Sequence, residues 1–277
     1  MAVHTDRDEL RRLQKEVAQI ARQTGELVLD YYRSGDFSVD EKSDDTPVTS
    51  ADLAASKFLS QALAALKPVL PVLSEEEIVP WTERRNWSRY WLIDPIDGTQ
   101  EFIKGSGDFA ISIALIDQHT PVLGAIYWPT EDTLYQAAEH LGASRVRLGQ
   151  EQSIQVRQLR DPGRDELIVA ISRRQPEQKI LSRMNPQRSL KTLMTGSCSL
   201  KSCLVAEGSA DCFLRVGPTG EWDTGAAQVI IEQAGGSLVS EHFEAVTYNR
   251  TASLGNPNFM VLGDPRIDWV SVFPGLV

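Results

Sequence analysis

The stretch Trp91-Leu92-Ile93-Asp94-Pro95-Ile96-Asp97-Gly98-Thr99 carries an apolar run into two carboxylates three residues apart, then a glycine and a hydroxyl. Pro95 fixes one backbone angle between the acids and removes an amide donor. Gly98 permits a tight turn and a close approach of the backbone to a ligand. Two acids held this near each other at a strand end repel unless a cation lies between them. Hard oxygen ligands of this kind suit Mg²⁺ or Mn²⁺. Taken alone, the motif also reads as an ordinary Asp-Pro, Asp-Gly turn.

Two further acidic segments change that balance. Pro71-Val72-Leu73-Ser74-Glu75-Glu76-Glu77 again ends an apolar run in carboxylates. Glu221-Trp222-Asp223-Thr224-Gly225-Ala226-Ala227 opens a helical pattern that stops at Gly235-Gly236. Asp223 falls where an N-cap or first-turn acid sits. Thr49-Ser50-Ala51-Asp52 also fits a helix start, where cap and catalytic acid are read equally well from spacing. Each segment has a bland reading singly; their combination in this order does not.

That order, Asp52, Glu75-Glu76, Asp94-Pro95-Ile96-Asp97-Gly98-Thr99 and Trp222-Asp223-Thr224-Gly225-Ala226, resembles the lithium-sensitive, magnesium-dependent phosphatase superfamily. Inositol monophosphatase and fructose-1,6-bisphosphatase belong to it. The resemblance spans roughly the whole chain. Within the superfamily the chain is similar to the CysQ-type 3'(2'),5'-bisphosphate nucleotidases, through Gln100-Glu101-Phe102-Ile103-Lys104, Leu200-Lys201, Cys203-Leu204-Val205-Ala206-Glu207-Gly208 and Gly217-Pro218-Thr219.

The resemblance implies a set of roles. Glu75, Asp94 and the Ile96 carbonyl would hold one Mg²⁺, and Asp94, Asp97 and Asp223 a second, with a weaker third ion near Glu75 and Mn²⁺ as a substitute. Such ions activate water and stabilise a leaving oxygen. Glu75, Asp52 and Thr99 would be catalytic, Thr99 orienting the attacking water with Asp52 beside it. The amides of Gly98 and Thr99 would grip phosphate oxygens. Glu75, Asp97, Gly98, Thr99, Gln100, Lys201 and Asp223 would contact substrate, with Ser199 near Lys201. Glu76 is open between ligand and supporting residue. Asp94 and Asp97 lack the Asp-x-Asp spacing of aspartyl-nucleophile phosphatases, so direct attack by water is expected. No Walker loop and no Asp-x-Asp-x-Asp-Gly calcium loop is present.

By the same resemblance, the reaction removes the 3'-phosphate of 3'-phosphoadenosine 5'-phosphate, giving AMP and phosphate. That places the enzyme as a recycler in sulfur metabolism, with lithium as inhibitor. Three departures stand out. Ser172-Arg173-Arg174-Gln175 replaces the Ser-Arg-Ser-His that touches the adenylate in the family. Gly196-Ser197-Cys198-Ser199 departs from Gly-Ser-Ser-Leu-Lys, and Gly220 precedes Glu221 where a small polar side chain is common. An inositol or sugar phosphatase on the same metal site is the alternative. A non-catalytic binding protein on this fold is the third reading.

These residues need a scaffold, and 277 residues suffice for a real core. The formal balance of −10, with no long basic cluster, argues against a nucleic-acid polymer as partner. The expected partner is a small phosphate ester, a bisphosphate nucleotide by resemblance; a homodimer stays open. Cys198, Cys203 and Cys212 form no CxxC pair and read as small buried residues in a reducing compartment. The charged opening Met1–Asp6 lacks a secretory core, and no apolar run reaches membrane-span length. A cytoplasmic enzyme is expected, with peripheral attachment to the inner membrane left open.

Thr5 or Asp6 can cap a first helix whose apolar positions Leu10, Leu13, Val17, Ile20, Ala21, Leu27, Val28 and Tyr31 follow a 3.6-residue period up to Ser34-Gly35. A second helix starts near Ser50. Residues 109–116, 122–128 and 133–138 predict an antiparallel meander. The second half alternates: a strand at 167–171, a helical segment after Pro176, a helix at 200–207, a strand at 212–216 and a helix at 224–234. The fold class is thus layered α+β and α/β, and the resemblance implies an αβαβα sandwich. We expect an N-terminal α+β half at 1–140, with the antiparallel sheet and most metal ligands. An α/β half at 141–277 would supply Asp223 and substrate contacts, the seam lying near 138–150 where Gly142 and Gly149 interrupt the pattern.

Overall fold

The computed structural model describes residues 6–42 and 46–276; Thr5, one of the two cap candidates, lies outside them. Asp6 caps α1 (Arg7–Ser34) by accepting from the Asp8 amide at 3.2 Å, and Gly35 closes it in the left-handed region. A short hairpin, β1 (Val39–Glu41) and β2 (Pro47–Thr49), leads into α2 (Ser50–Ala64). Then follow β3 (Val72–Ser74), α3 (Trp81–Arg84), β4 (Arg89–Asp97), α4 (Thr99–Ile103), β5 (Ala110–Asp117), β6 (Thr120–Trp128), β7 (Thr133–Ala138), β8 (Gly142–Arg147) and β9 (Gln150–Ser153). Strands β3 to β9 form one seven-stranded sheet in chain order, parallel at β3–β4 and antiparallel beyond.

The remaining chain runs β10 (Leu167–Ser172), α5 (Glu177–Leu181), β11 (Leu190–Thr195), α6 (Cys198–Ala206), β12 (Cys212–Arg215), α7 (Gly225–Gln233), β13 (Ser237–Ser240), β14 (Phe259–Leu262) and α8 (Trp269–Val272). Its strands make a five-stranded sheet of order β11-β10-β12-β14-β13. The expected meander is present. It continues through two more strands, past the seam placed near 138–150. Gly142 and Gly149 end no sheet: both have positive φ and lie at the two hairpin reversals that add β8 and β9.

Period-two alternation explains the layering. On β4 and β5, Trp91, Ile93, Ile111, Ile113 and Leu115 pack with Leu10, Leu13, Val17 and Ala21 of α1 and Leu59 and Leu63 of α2. Their alternate neighbours, Tyr90, Leu92, Ala114 and Ile116, pack with Leu200 and Cys203 of α6 and Ala226, Val229 and Ile230 of α7. Phe213 and Val261 of the second sheet join that layer from the other side. On the outer face Leu167, Val169, Ile171, Cys212 and Leu214 pack with Ile180, Trp269, Val272 and Phe273. The order is helix, sheet, helix, sheet, helix. Burial on both faces is what makes the central strands β4, β5 and β6 nearly continuously apolar.

Candidate active site

In a regular strand, residues three apart point to opposite faces. Asp94 and Asp97 do not, because the register with β5 slips between them: Asp94 pairs Ser112 and Asp97 pairs Ala110. Pro95, which has no ladder donor, falls within this bulge. Parallel pairing of β3 with β4 sets Ser74 beside Ile93, and the Glu75 amide donates to the Ile93 carbonyl at 3.1 Å. That delivers Glu75 next to Asp94. From the other half, a 3₁₀ turn at Glu221–Asp223 precedes α7. Asp223 is the acid of that turn, its carboxylate accepting from the Gly220 amide at 2.7 Å; Thr224 occupies the N-cap position of α7, and its hydroxyl donates back to the Glu221 carbonyl at 3.1 Å. One carboxylate oxygen from each of Asp94, Asp97 and Asp223 lies within 4.8 Å of the others.

Beside this cluster, Asp52 does two jobs. Its Oδ2 accepts from the Thr49 amide at 2.8 Å and the Thr49 hydroxyl at 2.5 Å, closing the α2 capping box. Its Oδ1 accepts from the Thr99 hydroxyl at 3.1 Å. Cap and partner of Thr99 are the same carboxylate. Thr99 Oγ1 is also 3.2 Å from the Ile96 carbonyl. Gly98 turns β4 into α4 with φ of 100°, and Thr99, as the first helical residue, has an amide without a partner inside the helix.

Asp97 is held from the other half. Its Oδ2 accepts from the Ser197 hydroxyl at 2.6 Å and the Ser199 amide at 2.5 Å, and Oδ1 from the Cys198 amide at 3.2 Å. Ser197 caps α6, which therefore begins at Cys198, two residues before its sequence pattern does. Lys201 is buried. Its ammonium donates to the Gly196 carbonyl at 3.0 Å and to the Ser197 carbonyl, and lies 5.1 Å over the Phe213 ring. Arg174 pairs with Glu101 at 2.6 Å and donates to Gln100 Oε1.

A cavity of about 210 Å³ gathers these groups. Glu75, Asp97, Gly98, Thr99, Gln100, Lys201 and Asp223, all expected at the substrate, line it. Asp94 lies behind them, and the Ile96 carbonyl reaches Thr99. Arg174 and Arg215 also line it. Sequence reasoning missed both as site residues, although Arg174 sits in a segment that it flagged. It also missed Lys42, which bridges Glu75 at 2.7 Å and Glu76 at 2.9 Å from 33 and 34 residues away. No local signal marks such a lysine.

The electrostatics follow from burial. Burial first, then the charges of Glu75, Asp97 and Asp223, raises Asp94 well above the carboxylate range. Burial, then Asp97 and Glu75, does the same to Asp223. Burial raises Asp52 against its hydrogen bonds and pushes Glu76 up to about 7. Lys42 is raised: burial opposes its charge, and Glu75 and Glu76 outweigh burial. Burial lowers Lys201. A buried trio of hard oxygen donors fits a divalent cation such as Mg²⁺ or Mn²⁺.

The five layers meet at a buried acidic cluster suited to a divalent cation. Residues 9–259 match the inositol monophosphatase family, and the chain belongs to that family. The 3'(2'),5'-bisphosphate nucleotidase CysQ of Haemophilus influenzae is 40% identical over 262 residues, covering 94% of this chain and 96% of that protein. The protein of the same name from Salmonella typhimurium is 40% identical over 248 residues, covering 89% and 98%. The crystal structure of CysQ from Bacteroides thetaiotaomicron, a bacterial member of the inositol monophosphatase family, matches with a TM-score of 0.77 at 33% identity, covering 91% and 97%. Among the described residues, no helix is long and apolar enough to cross a membrane.

Proposed function

We propose that the protein is a magnesium-dependent, lithium-sensitive phosphatase that removes the 3'-phosphate of 3'-phosphoadenosine 5'-phosphate, leaving AMP. One observation carries this reading: one cavity is lined both by Asp97, Asp223 and Thr99, with Asp94 behind them, and by Lys201, Arg174 and Arg215. A bisphosphate presents two anionic groups, one for cations held by the acids and one for these basic side chains. The CysQ relatives support the nucleotide as substrate.

Glu75, Asp94 and the Ile96 carbonyl would hold one Mg²⁺, and Asp94, Asp97 and Asp223 another. Bound there, the ions supply positive charge to the phosphate and make water a better nucleophile. The Thr99 hydroxyl donates to Asp52, which leaves its oxygen to accept from the attacking water. Asp52, raised by burial, takes up the proton passed through Thr99. The Gly98 and Thr99 amides grip a phosphate oxygen. Lys201 lends charge to the second phosphate while bracing the turn at Gly196 and Ser197.

Phosphate release is measured on 3'-phosphoadenosine 5'-phosphate, inositol 1-phosphate and fructose 1,6-bisphosphate with Mg²⁺, with and without Li⁺. We expect the nucleotide to be preferred in kcat/KM and Li⁺ to inhibit. Preference for inositol phosphate by orders of magnitude would transfer the assignment to an inositol phosphatase. Silence on every substrate would favour a binding protein.

A further inference from the structure

We infer that Ser197 is a positioning residue for Asp97: its hydroxyl fastens Oδ2 to the start of α6 and leaves Oδ1 as the oxygen turned to a divalent cation. This rests on the metal reading of Asp94, Asp97 and Asp223. Each carboxylate oxygen has two lone-pair positions. Oδ2 uses both, on the Ser197 hydroxyl and the Ser199 amide. Oδ1 uses one, on the Cys198 amide. Asp97 therefore presents one free acceptor position and can act only as a single-oxygen ligand.

The backbone of Ser197 points the same way. Its φ of 48° and ψ of 140° belong to a region that glycine adopts freely and side chains adopt at a cost. Such a conformation persists only where the surroundings over-determine it. They do so here. Asp108 Oδ2 accepts from the Gly196 amide at 2.7 Å and the Thr195 hydroxyl at 3.2 Å, and Arg173 pairs with the same oxygen at 2.9 Å. A Cβ at Gly196 would stand 2.6 Å from Asp108 Cβ and Glu101 Cγ, so the turn cannot relax toward that wall. The Lys201 ammonium holds the carbonyls of Gly196 and Ser197. Glycine at 197 would satisfy the turn without strain and keep both amides on Asp97. What serine adds is the hydroxyl, which donates to Asp97 and accepts from the Leu200 amide at 3.1 Å. The strained residue thus joins β4, which carries Asp97, to α6 of the other half.

The test compares wild type, S197G and S197A by Mg²⁺ titration calorimetry and by thermal melting in EDTA. We expect both variants to bind Mg²⁺ about tenfold more weakly, the usual loss when a partner behind a ligand is removed. S197G should melt above S197A without metal, because it alone relieves the backbone. In a D97N background neither variant should shift Mg²⁺ affinity further, as coupled residues require. Wild-type Mg²⁺ affinity in both variants would overturn the inference. So would an equal loss in the D97N background, the mark of a merely structural role. Wild-type protein that binds no Mg²⁺ would overturn the metal reading itself and this inference with it.

Discussion

Single side chains carry the sharpest consequences of this site. Asp94 is 2% exposed and is the carboxylate on which the charges of Glu75, Asp97 and Asp223 all act. Replacing it by asparagine keeps its shape and removes a carboxyl that the metal-free fold must either hold charged among other acids or keep protonated. D94N should lose turnover by at least about a thousandfold, since no neutral amide can bridge two cations. In EDTA it should melt a few degrees higher, the stability–function exchange expected where like charges are buried together. Phosphate release and melting curves on the same preparation check both; full activity would contradict the bridging role. Lys201 is tested differently. Its ammonium both lines the cavity and braces the turn before α6. K201A should raise KM for the bisphosphate nucleotide about tenfold, the scale of one charge-assisted contact, and affect a nucleoside monophosphate much less. Equal losses on both substrates would leave Lys201 with bracing alone.

At the level of elements, the decisive piece is the passage from β4 into α4. A bulge turns Asp94 and Asp97 to one side, and Gly98 then reverses the chain at φ of 100° so that Thr99 starts a helix within reach of Asp52. G98A should cost about 1–3 kcal/mol from the backbone alone, and its Cβ would stand 3.0 Å from the Asp108 carbonyl. Urea unfolding should register that loss, with kcat falling further than stability explains because the Thr99 amide and hydroxyl move together. Unchanged kcat would sink the role given to this junction. This element was legible in sequence because its signals are local: an apolar run, proline between acids, glycine before a hydroxyl. The period of α1 and the Thr49–Asp52 box were legible for the same reason. What the sequence hid is long-range. Nothing near Lys42 points to Glu75, and nothing near Ser197 says that Asp97, one hundred residues earlier, will be its acceptor. Gly142 and Gly149 looked like breaks because a hairpin glycine and an interrupting glycine carry the same letter. Pairing across the sheet decides between them.

For the molecule as a whole, two sheets and the helices between them bury acids that water would otherwise solvate. Burial pushes Glu76 and Glu221 up to about 7 and raises Asp94, Asp223 and Asp52. A carboxyl raised in the folded state keeps a proton that the unfolded chain has released. Its contribution to stability is full below about 4.5, the unfolded value, and is lost as pH climbs through about 7. Asp264 runs the opposite way: its hydrogen bonds from Arg266 hold it at about 2, so its contribution fades only in stronger acid and is constant from pH 5 upward. Metal-free protein should therefore melt higher at about pH 5 than at about pH 7.5. Magnesium should reverse the trend. Cations bind ionised carboxylates, so saturating Mg²⁺ should stabilise at about pH 7.5 by roughly 2.7 kcal/mol at a hundred times Kd, and by less at about pH 5, where protons compete. Melting curves at both pH values, with EDTA and with Mg²⁺, give four numbers whose pattern is fixed in advance. An Mg²⁺ shift of equal size at both pH values would mean that the ion binds groups other than these buried acids. A metal-free protein that gains stability toward pH 7.5 would mean that the acids are already ionised and compensated within the fold.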